Sequence, residues 1–253
     1  MKNFLAPFSI MAFIFVLSLF PETYSQNGKN DKSPLSISIG GDLVSRYIFR
    51  GVEFGPNPPT PHVQPNFSLT YDMGKTGSLK LGGWASYGIY NDFSENDLYL
   101  KYTNSFSGAG TFSLTLMDLT FPYLGAAINN FEGDGNGAHF IGLTFDFSGP
   151  ENLPVTFQVS SLVHNDFPGC KSLYLEVGYN FALEGINGKL FVGAAQGRSK
   201  WNTINSDKFE FDNIGVNFSK KLKISEDYSL PVGVTYILNW HLKQSFLVFK
   251  VSV

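Results

Sequence analysis

The 253-residue chain has a single cysteine, Cys170. One thiol cannot form a disulfide within the chain, and it cannot build the cysteine cluster of a structural metal site. Charged residues are also scarce, since they make up 15% of the chain where ordinary soluble domains have roughly 25%. The formal net charge of -3 excludes a strongly basic nucleic-acid-binding protein.

Long apolar runs are missing beyond the first twenty residues, which excludes a protein that crosses a membrane with several helices. The apolar stretch LAPFSIMAFIFVLSLF occupies Leu5 to Phe20. Pro7 leaves an uninterrupted run of about 13 residues, and a helix needs ~20 to span a bilayer. We therefore predict a cleaved signal peptide over residues 1–25, followed by a flexible segment over 26–34.

Aromatic residues are abundant, at 16% of the chain, with 25 Phe and 12 Tyr. From Leu173 to Phe181, apolar residues alternate with polar or small ones. Alternation with period two places the two sets on opposite faces of a β-strand. About twelve such segments follow one another to the C-terminus, separated by turns rich in Gly, Asn, Asp, Pro and Ser. Short turns and longer loops alternate, though imperfectly.

An even number of strands, with tight turns at one rim and longer loops at the other, is typical of an outer-membrane barrel. We predict an all-β fold over residues 35–253: a closed, antiparallel transmembrane β-barrel of about twelve strands. A soluble β-sandwich is the alternative, because its strands alternate in the same way around one dry core.

Two features besides the export signal favour the barrel. Aromatic residues gather at strand ends on the apolar face, as in the girdles at membrane interfaces. The predicted girdle consists of Tyr47, Phe49, Tyr71, Tyr87, Tyr102, Phe147, Tyr179, Phe181 and Trp240. The chain also ends on an alternating strand, Leu247 to Val253, which we expect the barrel-assembly machinery to recognise. The other expected partner is the lipid of the outer membrane.

The first third of the predicted barrel contains an S-x-Y-x-x-R-G opening, then W-x-S and E-x-D-x-Y-x-x-Y motifs. The residues concerned are Ser45, Tyr47, Arg50, Gly51, Gln64, Trp84, Ser86, Glu95, Asp97, Tyr99 and Tyr102. In these residues the chain resembles the TorF-type porin family. The resemblance implies a β-barrel in the outer membrane of a Gram-negative bacterium, and it supplies no substrate.

Charged residues opposite the apolar face are expected to line the lumen. Two residues along a strand advance about 6.6 Å, so Asp42, Arg46 and Arg50 would form a ladder on the first strand. The candidates for a constriction are Asp42, Arg46, Arg50, Asp97, Lys101 and Glu176. Such residues either select small hydrophilic solutes or form buried ion pairs that brace the wall.

The sequence offers little support for catalysis. The histidines His62, His139, His164 and His241 have no metal-ligand spacing, and we predict no catalytic residue, metal or cofactor. A lipid-facing hydrolase needs a serine beside a histidine, and only His139 falls on the apolar face near a rim. A non-conducting binding or adhesion barrel, acting through its extracellular loops, is the stronger alternative to a pore. Its longest loop would run from Pro122 to Gly137.

Two predicted strand boundaries are poorly defined by the pattern. The alternation slips by one residue between Phe209 and Ile214, which indicates a β-bulge. It slips again between Met117 and Phe121.

Overall fold

The computed structural model describes residues 33–55, 58–167, 172–199, 201–202 and 208–253. The predicted signal peptide therefore lies outside the described residues. Twelve strands form one closed antiparallel barrel, which confirms the predicted all-β fold and its strand number. Within the described segments, no helix has the length and apolarity needed to cross a membrane.

The described residues form fourteen strands and two short 3-10 turns. The barrel strands are β1 (Leu35–Val44), β4 (His62–Asp72), β5 (Ser78–Gly88), β6 (Ser94–Phe106), β7 (Gly110–Thr120), β8 (His139–Ser148), β9 (Val155–His164), β10 (Leu173–Leu183), β11 (Ile186–Gln196), β12 (Glu210–Lys223), β13 (Ser229–Asn239) and β14 (Gln244–Ser252). The remaining elements are β2 (Ile48–Phe49), β3 (Val52–Glu53) and the 3-10 turns Gly74–Thr76 and Pro122–Leu124.

Each barrel strand pairs with its neighbours in sequence, and β1 closes the sheet by pairing with both β4 and β14. The β1–β14 seam is short, because its ladder covers only Asp42 to Val44. Two backbone hydrogen bonds between Gly41 and Val253 extend the seam. Closure pairs the backbone groups that an open sheet would leave exposed at its edges.

The connections differ at the two ends of the barrel. The end that we name the turn rim carries the short connections 73–77, 107–109, 149–154, 184–185 and 224–228. The opposite end, the loop rim, carries 45–61, 89–93, 121–138, 165–172, 197–209 and 240–243. The connections 45–61, 121–138, 165–172 and 197–209 are longer than any at the turn rim, whereas 89–93 and 240–243 are as short as the turns there.

The two faces of the sheet separate by polarity. Apolar side chains point away from the interior, and Leu81, Leu98 and Leu190 expose 55%, 60% and 51% of their surface. Alternate positions point inward, where Ser86 and Ser160 are buried. A sandwich would bury its apolar set in one dry core. The exterior of this barrel instead suits hydrocarbon, in which a closed sheet leaves no backbone group unpaired.

The first strand is shorter than the alternation predicts. It ends at Val44, and residues 46–53 turn into the interior instead of continuing along the wall. Tyr47 and Phe49 therefore do not belong to the aromatic girdle: Tyr47 is buried, and Phe49 packs against an internal apolar cluster. The other predicted girdle positions lie on barrel strands or, for Trp240, at the loop rim.

One of the two uncertain boundaries contains the predicted bulge. The register between β11 and β12 shifts where Gly193 pairs with Asn213 and Ala194 pairs with Phe211, so Asp212 is the extra residue. The predicted slip between Met117 and Phe121 is wrong, because β7 pairs without interruption as far as Thr120. The pattern fails there since Asp118 and Thr120 are polar residues on the outward face.

The polarity of the exterior generates the first testable prediction. Leu100→Arg places a charge on the outward face of β6 and should lower the free energy of unfolding by about 2–4 kcal/mol in lipid. Thr103→Arg, on the inward face of the same strand, is the matched control and should have a much smaller effect. Denaturant titration of both variants in vesicles measures the difference. Equal stability of the two variants would contradict a lipid-facing exterior.

Candidate functional site

The connection between β1 and β4 carries a small hairpin inside the barrel. We name it the inner hairpin; it consists of β2 and β3 and the turn between them, residues Ile48–Glu53. Its two strands pair Ile48 with Glu53 and Phe49 with Val52. The Arg46 Nε atom lies 3.4 Å from the Glu53 Oε1 atom and braces the base of the hairpin.

The tip of the inner hairpin makes a close approach to the wall that only glycine allows. Gly51 has φ +75°, and a Cβ at this position would lie 1.6 Å from the carbonyl oxygen of Asp212. The Asn239 Nδ2 atom donates a 3.0 Å hydrogen bond to the Gly51 carbonyl oxygen. The tip is therefore fixed between the bulge of β12 and the end of β13.

Two apolar clusters on the wall hold the strands of the hairpin. Phe49 packs against the cluster of Leu119, Phe140, Leu162 and Trp201. Ile48 packs on the other side against the cluster of Phe191, Ile237 and Phe246. Buried apolar contact of this kind stabilises by about 25 cal/mol per Å² removed from water. The hairpin is thus packed like a core element, and it fills the interior near the loop rim.

Arg50 is the central charge of this packed region. Its guanidinium lies 4.6 Å, 4.3 Å and 4.8 Å from the ring centroids of Phe49, Tyr174 and Trp201. Its Nη2 atom donates a 3.3 Å hydrogen bond to the Gln158 Oε1 atom. Cation–π attraction strengthens when water is excluded, so the ring contacts compensate part of the cost of burying the charge.

Burial also affects how firmly Arg50 holds its proton. Desolvation lowers the pKa of Arg50 to about 10, while Tyr174, Glu176 and Asp212 act in the opposite direction. At neutral pH the guanidinium therefore keeps its charge. The cavity beside it, also lined by Ser160, has a volume of about 10 Å³, roughly that needed for one water molecule.

A chain of polar contacts leads from Arg50 toward the turn rim. The Gln158 Nε2 atom donates a 2.8 Å hydrogen bond to the Asp146 Oδ1 atom. The other oxygen of this carboxylate lies 3.7 Å from the Lys101 Nζ atom. Inward-facing polar side chains on three strands, of which Asp146 and Lys101 are charged, are therefore connected to the tip of the inner hairpin.

Glu176 belongs to a second, fully bonded network. Its carboxylate accepts hydrogen bonds of 2.7 Å from the Tyr174 hydroxyl and 2.8 Å from the Lys189 Nζ atom. The Asn213 Nδ2 atom adds bonds to the Tyr174 hydroxyl and to the same carboxylate, of 2.8 Å and 3.1 Å. This arrangement connects neighbouring strands, as expected for a buried ion pair whose other hydrogen-bonding groups also have partners.

Tyr47 contacts the wall on the side away from Arg50. Its ring lies 5.5 Å from Trp84 and 5.9 Å from Phe93. Burial raises the pKa of Tyr47, and the nearby Glu95 and Asp97 act in the same direction, so the phenol stays protonated. Asp97 follows Glu95 on the same inward face, and both are buried.

The structure separates the predicted lumen residues into different environments. The predicted ladder on the first strand is wrong, because β1 ends before Arg46 and Arg50. Asp42 lies on β1 and bonds Lys250 and Ser252 across the seam. The structure joins Arg50 to Lys101 through Gln158 and Asp146, and it places Asp97 beside Tyr47 instead.

Several residues that carry the TorF-type resemblance lie in or near the inner hairpin, whereas Tyr102 lies at the turn rim, where its hydroxyl donates a hydrogen bond to the Thr76 carbonyl oxygen. Arg50 and Gly51 form the tip of the hairpin, and Trp84 packs against Tyr47. Ser86 bonds His62 at 2.9 Å on the wall beside Tyr47. Ser45 accepts a 3.0 Å hydrogen bond from the Phe249 amide at the seam. The motifs therefore include the tip of the inner hairpin and part of the wall near it.

Several residues of this site were not found by sequence reasoning. Gln158, Tyr174, Trp201, Asp212 and Asn239 all hold the hairpin. Strand parity marks some of them as inward-facing, but it cannot indicate which inward positions meet an inserted segment. Only the bulge around Asp212 carried a signal in the sequence.

The histidines do not form a catalytic or metal site among the described residues. His62 is the first residue of β4 and is buried inside the barrel. His139 lies on the outward face, where its Nδ1 atom is 2.8 Å from Asp118 and its Nε2 atom is 2.7 Å from the Ile128 carbonyl oxygen. Neither ring nitrogen is free to activate a serine. No three His, Cys, Asp or Glu residues in the described segments are grouped to hold a metal ion.

Comparison with solved structures finds other barrels at low similarity. A chain solved in work on the mechanism behind in-meso crystallization of membrane proteins is 12% identical over 85% of this chain and 81% of that chain, with a TM-score of 0.49. Salmonella typhi OmpF in complex with daunomycin is 10% identical over 88% and 98%, with a TM-score of 0.39. The β domain of the Bordetella autotransporter BrkA is 11% identical over 85% and 97%, with a TM-score of 0.35. These identities are too low to transfer an activity.

No curated protein is similar enough to this chain to count as a match. A family model, described as a bacterial protein of unknown function (Gcw_chp), matches residues 28–238. That range covers most of the barrel, including the inner hairpin and most of the wall residues that contact it. The TorF-type resemblance has no counterpart in this match. The chain belongs to the Gcw_chp family of bacterial proteins.

Proposed function

We propose that the protein is an outer-membrane β-barrel that passes small hydrophilic solutes, and that the inner hairpin closes its lumen in the conformation described. The observation that carries the proposal is the contrast between the two halves of the interior. Near the turn rim the wall is polar and half-exposed, whereas near the loop rim the hairpin is packed against it. We interpret an interior that is polar at one end and filled by a hairpin at the other as a closed, gated pore.

The exterior supports a location in a membrane, and the N-terminal sequence supports export. An apolar outer surface around a closed sheet needs an apolar solvent. The predicted signal peptide and the TorF-type resemblance favour the outer membrane of a Gram-negative cell. In that orientation the loop rim faces outward and the turn rim faces the periplasm.

The inner hairpin is a suitable gate because it is held by non-covalent contacts alone in the described residues. Its tip depends on Arg50 and on the Asn239 bond to Gly51. A twelve-stranded barrel is also wider than an eight-stranded one, whose wall side chains fill the interior. The wall therefore leaves a space that an inserted segment can occupy or leave.

A second candidate function is a non-conducting binding barrel that acts through its extracellular loops. The filled interior near the loop rim favours this reading. The loop 121–138 also exposes Leu124, Ile128 and Phe131, apolar side chains available to a partner or to lipid. The two functions differ in one measurable property, which is ion conductance.

Removing the Arg50 side chain should open the proposed gate. Arg50→Ala loses the cation–π contacts and the bond to Gln158, which should raise the conducting fraction roughly tenfold over the natural protein. Single-channel recording of the refolded protein in planar bilayers measures this fraction. Arg198→Ala is the matched control, since Arg198 is an exposed arginine that stacks on the Phe167 ring in the loops. If neither the natural protein nor Arg50→Ala conducts while both are folded, the binding barrel replaces the pore.

A second variant tests the gate by steric means. Gly51→Ala places a methyl group against the Asp212 carbonyl oxygen and adds strain at a positive φ, so the tip must move from the wall. We expect increased conductance without loss of the barrel, which circular dichroism and resistance to denaturation in detergent would report. Gly108→Ala has a positive φ in a turn with open space around it and serves as the control. Equal conductance of the two variants would contradict the gating role of the hairpin.

A further inference from the structure

Two lysines face each other on the inner wall below the inner hairpin. Lys80 on β5 and Lys101 on β6 are direct partners in the register, and their strand parity points both side chains inward. Directly opposed residues have Cβ atoms about 4.5–5.5 Å apart, and like charges in this position repel. Both side chains are half-buried, so neither can move freely away from the other into bulk water.

The positive charge of this pair is only partly neutralised. Lys101 lies 3.7 Å from Asp146, a carboxylate that also accepts a hydrogen bond from Gln158. Lys80 has no ion pair with any described residue. The other lysines on the inner wall that form ion pairs are matched one to one: Lys189 with Glu176 at 2.8 Å, and Lys250 with Asp42 at 3.4 Å. The excess positive charge is therefore concentrated beside Lys80.

Hydroxyl groups flank the two lysines in the same row of the sheet. Thr70 on β4 is the register partner of Lys80, and Thr115 on β7 is the partner of Lys101. The four side chains lie on one inward-facing row that crosses four adjacent strands. Ammonium and hydroxyl donors in this arrangement suit an oxyanion, which accepts several charge-assisted hydrogen bonds.

We propose that Lys80 and Lys101, with Thr70 and Thr115, form a binding site for a phosphate group in the lumen. We name this set the lysine row. Because it faces the interior, its ligand is a dissolved ion or solute, either inorganic phosphate or a small phosphorylated molecule. The proposal rests on the proposed function for its biological meaning, since a pore would deliver such anions to the row.

Titration of the refolded, full-length protein in detergent micelles with inorganic phosphate tests the site directly. We expect saturable binding by isothermal calorimetry, and a loss of about tenfold in affinity for Lys80→Gln or Lys101→Gln, as removal of a charged hydrogen-bond partner implies. Lys75→Gln, in the exposed turn beside β5, is the matched control and should leave binding unchanged. A natural protein without phosphate binding, or a double variant that binds equally well, would overturn the proposal.

Parallel titration with glycerol phosphate identifies the source of the phosphate group. Tighter binding of glycerol phosphate would support a phosphorylated solute, and tighter binding of the inorganic ion would support the free anion. Conductance separates this proposal from the proposed function. Phosphate binding without conductance in Arg50→Ala would refute the pore and leave the site standing. Conductance with a reversal potential unaffected by Lys80→Gln and Lys101→Gln, and without phosphate binding, would refute the site alone.

Discussion

The need to pair every backbone group within a closed sheet determines the rest of this structure. Hydrocarbon supplies no hydrogen-bond partners, so a barrel suited to it must close, and its side chains must divide by polarity between the two faces. Most apolar side chains of the strands then lie on the exterior, as the exposed leucines of β5, β6 and β11 show. The interior has to be stabilised with the polar residues that remain and with whatever the chain can insert.

The inner hairpin provides the apolar contacts that the polar interior of the wall lacks. Twelve strands enclose more space than eight, and polar wall side chains do not pack it. The hairpin supplies apolar residues from the connection instead, with Ile48 and Phe49 meeting two separate wall clusters. The charge of Arg50 at its tip is tolerated because aromatic rings surround the guanidinium and the Gln158 side chain accepts one of its hydrogen bonds. An internal core forms at the loop rim while the turn rim stays polar.

The fold was predictable from the sequence because strand parity is a strong and repeated signal. Residues such as Leu173 to Phe181 alternate cleanly, and the bulge at Asp212 appeared as a one-residue slip. The inner hairpin was not predictable in the same way. Tyr47 and Phe49 continue the alternation of β1, so the pattern predicts that they face outward, although their partners are Trp84 on β5 and Trp201 in the connection between β11 and β12. A pattern within one segment cannot show that the chain has left the wall.

The distribution of charge inside the barrel follows from the same confinement. A charge in a narrow, partly desolvated lumen is stabilised by an opposite charge or by hydrogen bonds, from donors to a carboxylate and to acceptors from a lysine or arginine. Glu176 meets this condition completely, through Tyr174, Lys189 and Asn213. Lys101 meets it through an Asp146 carboxylate already bonded to Gln158, and that same Gln158 bonds Arg50. The polar chain therefore connects Lys101, whose register partner is Lys80, to the segment that fills the lumen, so the charge balance of one is not independent of the packing of the other.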